Sequence, residues 1–194
     1  SQNHLYYLEH IKNEEFLIRS NKDAPNFKIL KSNKLGNNLE DLKIVINHDE
    51  NIYINDTLLV NDNLVLEVRK LGLPEITIHN LSSLESFDIE FEENAYDVSL
   101  SNNFEITNDN FNYQYSSLTT PKSIINFNIS NKESENLLTK EVVGFDKSKY
   151  ELDRFFINAR DNEKIPVVTV ARKDTNLNNA PIPLLWLWLI RHKY

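Results

Sequence analysis

At 194 residues with 40% apolar side chains, the chain can bury the core of one domain, which excludes a disordered tail. The 29 acidic against 21 basic residues give a net charge of −8, and no Lys/Arg run carries interleaved aromatics, so no nucleic-acid partner is expected. Cysteine is absent, which removes a disulfide framework, a thiol nucleophile and a Cys-based zinc site.

The N-terminus, SQNHLYYLEH, is polar and lacks the apolar stretch of a secretory signal. The most apolar segment, Ile182–Ile190, falls well short of the ~20 residues that a membrane helix needs. A cytoplasmic setting without a membrane partner is therefore the expectation.

In chain order, Leu5–Leu8 is the first strand-length run. Phe16–Asn33 (FLIRSNKDAPNFKILKSN) then reads as a strand, a polar turn around Pro25, a second strand and a polar exit. Asn37–Leu42 has room for one helical turn. Lys43–Ile46 and Thr57–Val60 are further short strands. Val65–Ser82 (VLEVRKLGLPEITIHNLS) repeats the Phe16–Asn33 pattern around Pro74, and Phe87–Phe91 and Tyr96–Leu100 follow as strands. Asn112–Ser130 (NYQYSSLTTPKSIINFNIS) is a third copy, around Pro121.

The three prolines are spaced by 49 and 47 residues. Proline fixes φ and cannot donate to a ladder, so each is expected in a connection and not in a central strand. Around them the apolar residues alternate with period two: Phe27 and Ile29, Ile76 and Ile78, Ile125 and Phe127. No segment sustains helical periodicity. Four strands per roughly 45–50 residues is the period of β-propeller blades. A generic β-sandwich also has many short strands, but the fixed internal repeat favours the propeller.

After the third copy, Phe155–Arg160 and Ile165–Ala171 are two β-rich runs around the polar turn Asp161-Asn162-Glu163-Lys164, the pattern of a β-hairpin. The stretch Lys140–Pro183, with Tyr150, Glu151, Arg154, Ala159-Arg160-Asp161, Pro166 and Arg172-Lys173, resembles the linker and first peptidase-domain hairpin of oligopeptidase B, in the prolyl oligopeptidase family of serine peptidases. NKDAPNF (Asn21–Phe27), Val65–Ile78, AYDVSL (Ala95–Leu100) and Tyr115–Ile124 resemble propeller sequence of the same family, in family order.

The resemblance implies an all-β chain: an incomplete propeller, about three four-stranded blades of seven, followed by a β-hairpin. The implied organisation is a partial propeller over 1–144, an interdomain linker and hairpin over 145–183, and an aberrant tail over 184–194. Two departures stand out. Asn162 replaces the glycine of the family's Asp-Gly turn, where asparagine tolerates the left-handed conformation next best. Ala171 replaces a usual tyrosine.

The tail LLWLWLIRHKY departs from the family's glycine- and tyrosine-rich YGYGSYG. A one-base shift of reading frame near Leu185 converts one into the other for a permissible choice of codons, so a frameshift is the expectation there.

Few residues carry chemistry. No G-x-S-x-G elbow exists for a serine nucleophile, and Ser116-Ser117 reads as turn hydrogen bonding. His4, His10, His48, His79 and His192 are scattered, without the i, i+4 pair of a helical metal site. Glu90, Glu92, Glu93 and Asp97 read as a solvated face, because Asp88, Glu90 and Glu92 alternate with Ile89 and Phe91. Asp49–Asp56 lacks the central glycine and closing glutamate of a calcium loop. No catalytic, cofactor-binding or metal site is therefore expected in the chain, and no cofactor.

In the family this resemblance points to, the propeller gates access of short peptides to a Ser-His-Asp site that cleaves after basic residues. The expectation is a truncated fragment of such an enzyme, inactive alone because the triad lies beyond it. Short peptides would be partners only in the intact enzyme. Open blade edges and the Trp186–Leu189 window would favour self-association. The competing reading is a free-standing propeller-like interaction module, which would carry polar terminal caps and no peptidase hairpin.

Overall fold

The computed structural model describes residues 4–11, 15–34, 38, 41–103 and 109–175. The tail, His192 and most of Asn37–Leu42 lie outside these residues; within the last, Asp41 N donates to Asn38 O at 3.1 Å.

Three antiparallel sheets have four strands each, in sequential order. The first comprises β1 (Tyr6–His10), β2 (Phe16–Ser20), β3 (Lys28–Ser32) and β4 (Lys43–Ile46). The second comprises β5 (Ile52–Val60), β6 (Asn63–Lys70), β7 (Leu73–Asn80) and β8 (Ser86–Asp88). The third comprises β9 (Asp97–Leu100), β10 (Asn110–Ser116), β11 (Ser123–Asn128) and β12 (Glu133–Thr139). A separate two-stranded hairpin follows, of β13 (Tyr150–Asn158) and β14 (Lys164–Arg172). This all-β order of four-stranded sheets is the blade pattern of a propeller fragment.

The three sequence copies are β2–β3, β6–β7 and β10–β11, the central pair of each sheet. Their legibility has a physical basis. Central strands are paired on both sides and pack against neighbours, so they carry most of the buried residues, alternating in β7 and continuous in β2 and β6, while edge strands are free to carry polar residues. In β12 every residue is exposed; in β6 five successive residues, Leu64–Val68, are buried.

Contacts divide the described chain into two units. The first holds residues up to Lys70 together with Glu75–Ile89; the second holds Leu71–Pro74 and the residues from Glu90 onward. In the first unit, Leu17 and Ile29 of the first sheet, with Phe27 just before β3, pack on Ile54, Leu64, Leu66 and Val68 of the second. Phe27 also meets Tyr53 edge to face, with ring centroids 5.6 Å apart. In the second unit, Phe111 and Phe127 pair across β10–β11 with centroids 5.7 Å apart, in register.

Several boundaries differ from the sequence expectation. Pro25 and Pro121 sit in connections, but Pro74 is the second residue of β7. The turn before it is Leu71-Gly72, with φ of +50° and +80°. In such a two-residue hairpin the second residue of the returning strand occupies a non-hydrogen-bonded pair, so β6 asks nothing of the missing proline N–H. The β7–β8 register begins only at Thr77, so no strand needs it on the other side. The run Phe87–Phe91 also breaks early. Pairing stops at Asp88, Ile89 N still reaches Ile76 O at 2.9 Å, and Phe91 turns to stack on Tyr115 at 5.4 Å. Thr57–Val60 is the end of a longer strand that starts at Ile52.

The hairpin forms around Asn162, whose φ is +64°. Asn162 N donates to Ala159 O at 3.0 Å and Ala159 N to Glu163 O at 2.8 Å. Those two bonds close a three-residue loop with its last residue left-handed.

Candidate functional site

The most developed polar cluster is in the second unit, around Glu93. Loop 90–96 brings this carboxylate under the β10–β11 connection. The Tyr115 hydroxyl donates to Oε2 at 2.7 Å, the Thr120 hydroxyl donates to Oε2 at 2.9 Å, and the Thr119 hydroxyl donates to Oε1 at 2.5 Å. Lys147 Nζ lies 3.2 Å from Oε1 and donates to Thr120 Oγ1 at 2.9 Å.

Burial opposes ionisation of Glu93, but the hydroxyls of Thr119, Tyr115, Ser117 and Thr120 outweigh it and hold the carboxyl at about 2. Burial, followed by the Glu93 charge, pushes the Tyr115 phenol far up. The solvated-face expectation thus fails for Glu93, whose side chain is only 12% exposed. Its neighbours in sequence do not reveal this, because its hydroxyl partners lie 22 to 27 residues away and Lys147 further still.

Glu93 joins three segments: its own loop, the β10–β11 connection and the approach to the hairpin. That approach is a short 3-10 turn, Lys147–Lys149, capped by Asp146, whose side chain accepts from Ser148 N at 3.1 Å. Phe145 stacks on Tyr150, with centroids 5.5 Å apart. A cleft of about 380 Å3 opens beside the cluster, lined by Glu92, Glu93, Asn94, Thr119, Lys147 and Tyr150 among others.

The hairpin is seated further by Arg154, which donates to Leu71 O at 2.7 Å, and by Asn94, which donates to Asp153 Oδ1 at 3.4 Å. A Cβ placed on Gly72 would stand 3.3 Å from Pro166 Cγ, so the small residue permits the close approach of this turn to β14. Arg172 pairs with Asp174 through two bonds of 3.0 and 2.7 Å, on the exposed surface.

The other residues singled out in the sequence stay apart. Ser116 ends β10 opposite Asp97, and Ser117 Oγ accepts from Thr119 N at 2.9 Å, a turn contact. His4 meets Ser20 Oγ at 2.9 Å, and His10 tilts against Phe16. Burial pushes the His79 imidazole down. Asp88 is ion-paired with Lys70 at 2.8 Å and accepts from the Thr77 hydroxyl at 2.5 Å. Burial raises its carboxyl less than those partners lower it. Asp49 Oδ1 accepts from Asn51 N at 2.7 Å, closing a local turn, while Asp56 pairs with Arg19 at 3.5 Å. Among the described residues no three His, Asp or Glu side chains converge as a metal-ligand group. No helix among them is long and apolar enough to cross a membrane.

Three successive four-stranded sheets, followed in sequence by a hairpin, define a propeller-bearing protein. The chain belongs to the family described as prolyl oligopeptidase, N-terminal beta-propeller domain, whose model matches residues 1–140. It is 31% identical over 171 residues to dipeptidyl aminopeptidase BI of Pseudoxanthomonas mexicana, covering 87% of this chain and 23% of that one. It is 28% identical over 182 residues to Protease 2 of Moraxella lacunata, covering 93% of this chain and 26% of that one.

Among solved structures, oligopeptidase B from Trypanosoma brucei, in a closed form with covalently bound antipain, is similar in fold with a TM-score of 0.80. Its identity is 22%, and the match covers 92% of this chain and 26% of that one. Oligopeptidase B from Leishmania major gives a TM-score of 0.77 at 23% identity, covering 91% and 26%. The chain spans about a quarter of the length of these relatives.

Proposed function

We propose that this chain is the part of an oligopeptidase B-like serine peptidase that carries the last propeller blades, the interdomain linker and the first hairpin of the peptidase domain. One observation carries the reading: the family match ends at residue 140, while the ordered chain runs on through a capped turn into a hairpin held by Lys147 and Arg154. A free-standing interaction module has no use for such an appended hairpin. The domains read as propeller over 1–144 and linker with hairpin over 145–183, followed by the 184–194 tail.

The function of this part is to gate. A propeller in front of a hydrolytic site admits short peptides and excludes folded chains. Bond cleavage after basic residues belongs to the Ser-His-Asp machinery of the whole enzyme. These 194 residues alone are inactive in this reading, act on short peptides only within the intact enzyme, and work in the cytoplasm. Alone, they self-associate through the free edges of β1 and β12. Leu5, Tyr6, Tyr7 and Leu8 are about half exposed in and beside β1, as are Leu137 and Leu138 in β12.

The test is an amidase assay of the purified chain with a fluorogenic arginyl-arginyl substrate, with sedimentation velocity on the same sample. No turnover above buffer, with concentration-dependent growth in mass at tens of micromolar, is the expected result. Turnover that resists repurification and is stopped by a serine-directed reagent contradicts the inactivity. A single monomer boundary at all concentrations contradicts the self-association.

A further inference from the structure

Within the first unit, between its two sheets, lies a cleft of about 290 Å3 that shares no residue with the Glu93 cluster or the hairpin contacts. The β1–β2 register places Tyr7 opposite Arg19 and Glu9 opposite Leu17. Tyr7 and Glu9 are two residues apart on one strand, so they share a face, and Arg19 shares it with them. Glu9 and Arg19 are thus diagonal neighbours, within reach of one small molecule.

Arg19 is buried and Glu9 partly so, and each has one buried polar atom without a partner. Arg19 is 7% exposed. Its Nη1 donates to Ile54 O at 3.4 Å, its Nη2 lies 3.5 Å from Asp56, and its Nε has no partner. Glu9 Oε1 accepts from Leu59 N at 2.7 Å, while Oε2 has none. A buried polar atom left unpaired is costly, so a donor and an acceptor on diagonal neighbours favour something that bridges them. Asp56 stands at the mouth, with its side chain 56% exposed. Leu17, Ile29 and Leu64 form an apolar floor.

Arg19 offers a donor, Glu9 an acceptor, and Asp56 a second negative charge a short distance outward, for a net wall charge of −1. A complementary ligand has an anionic acceptor and a cationic donor on neighbouring atoms, an aliphatic stretch, and a second cation. We infer that the cleft binds a free basic amino acid, with its α-carboxylate on Arg19 Nε, its α-ammonium on Glu9 Oε2 and its side-chain cation on Asp56. The volume sits at the low end of small-molecule sites, which suits one amino acid and not a peptide. Tyr7 is the movable wall: its ring lies 4.2 Å from the guanidinium carbon and half of the residue is exposed, so entry requires that ring to swing outward. The inference rests on the first unit alone and stands or falls separately from the peptidase reading.

Calorimetric titration of the full chain with L-arginine, L-argininamide, Nα-acetyl-L-arginine and L-citrulline tests it, since the last three each remove one of the three ligand charges. Arginine should bind saturably with Kd below about 1 mM, and each of the others at least about tenfold more weakly. Glu9→Gln should weaken arginine at least about tenfold while leaving circular dichroism and thermal unfolding unchanged. Asp56→Asn, at the exposed mouth, should bring arginine and citrulline level, and it decides the matter should the Glu9 variant not fold. No saturable arginine binding, equal binding of the blocked forms, or unaltered affinity in the folded variants overturns the site.

Discussion

Glu93 gathers three hydroxyls and a lysine ammonium into a space where it is itself mostly buried. A carboxylate so supplied stays ionised far below its ordinary value of 4.5, at about 2. The sign of the linkage follows. With the folded-state value depressed, its stabilisation is present above pH about 4.5 and is lost as pH falls from there towards 2. Glu93→Gln keeps the shape but not the charge. It should lower stability at neutral pH by about 1–2 kcal/mol, and its melting temperature should converge on that of the parent as pH falls from about 4.5 towards 2. Thermal unfolding followed across that range checks this; a gap that is the same at every pH contradicts it. The cluster was hidden in the sequence because an acidic run gives no sign that Tyr115, Thr119, Thr120 and Lys147 will fold back onto one member of it. Arg19 was hidden differently: nothing in FLIRS shows that β2 is buried over the whole of Leu17–Ser20, its arginine included.

The hairpin β13–β14 was the most legible element, because two β-branched runs around a polar turn have few other solutions. Its turn depends on one residue. With only three glycines in the chain, left-handed positions fall to other residues, Asp23, Asn61, Asp109 and Asn162 among them. Asn162→Ala should cost about 1 kcal/mol in chemical denaturation, while Asn162→Gly should stay within about 0.5 kcal/mol of the parent. An alanine variant as stable as the parent would contradict the left-handed turn. The repeat copies were read correctly as strand pairs, since the central strands are the most buried of each sheet and so the richest in apolar residues. Pro74 was misplaced because a proline in mid-sheet normally breaks a ladder, and only the register shows that its nitrogen faces no partner. The end of β8 was misread because Phe91 keeps the apolar alternation while packing on tyrosines and not in a ladder.

For the molecule as a whole, the role we propose is that of the gating part of a larger peptidase, in place of an enzyme or a stand-alone binding module. The blade repeat and the appended hairpin were legible at this scale; the clamp of Lys147 and Arg154 between them was not, since it depends on contacts with Glu93, Thr120 and Leu71, all distant in sequence. The most direct measurement grafts residues 1–175 into Protease 2 of Moraxella lacunata in place of the matching stretch and compares cleavage of a short arginyl peptide with that of an unfolded protein carrying the same site. The account predicts that the short peptide is cleaved within about tenfold of the parent rate and the protein is spared. A folded graft that cleaves both alike, or neither, would contradict it.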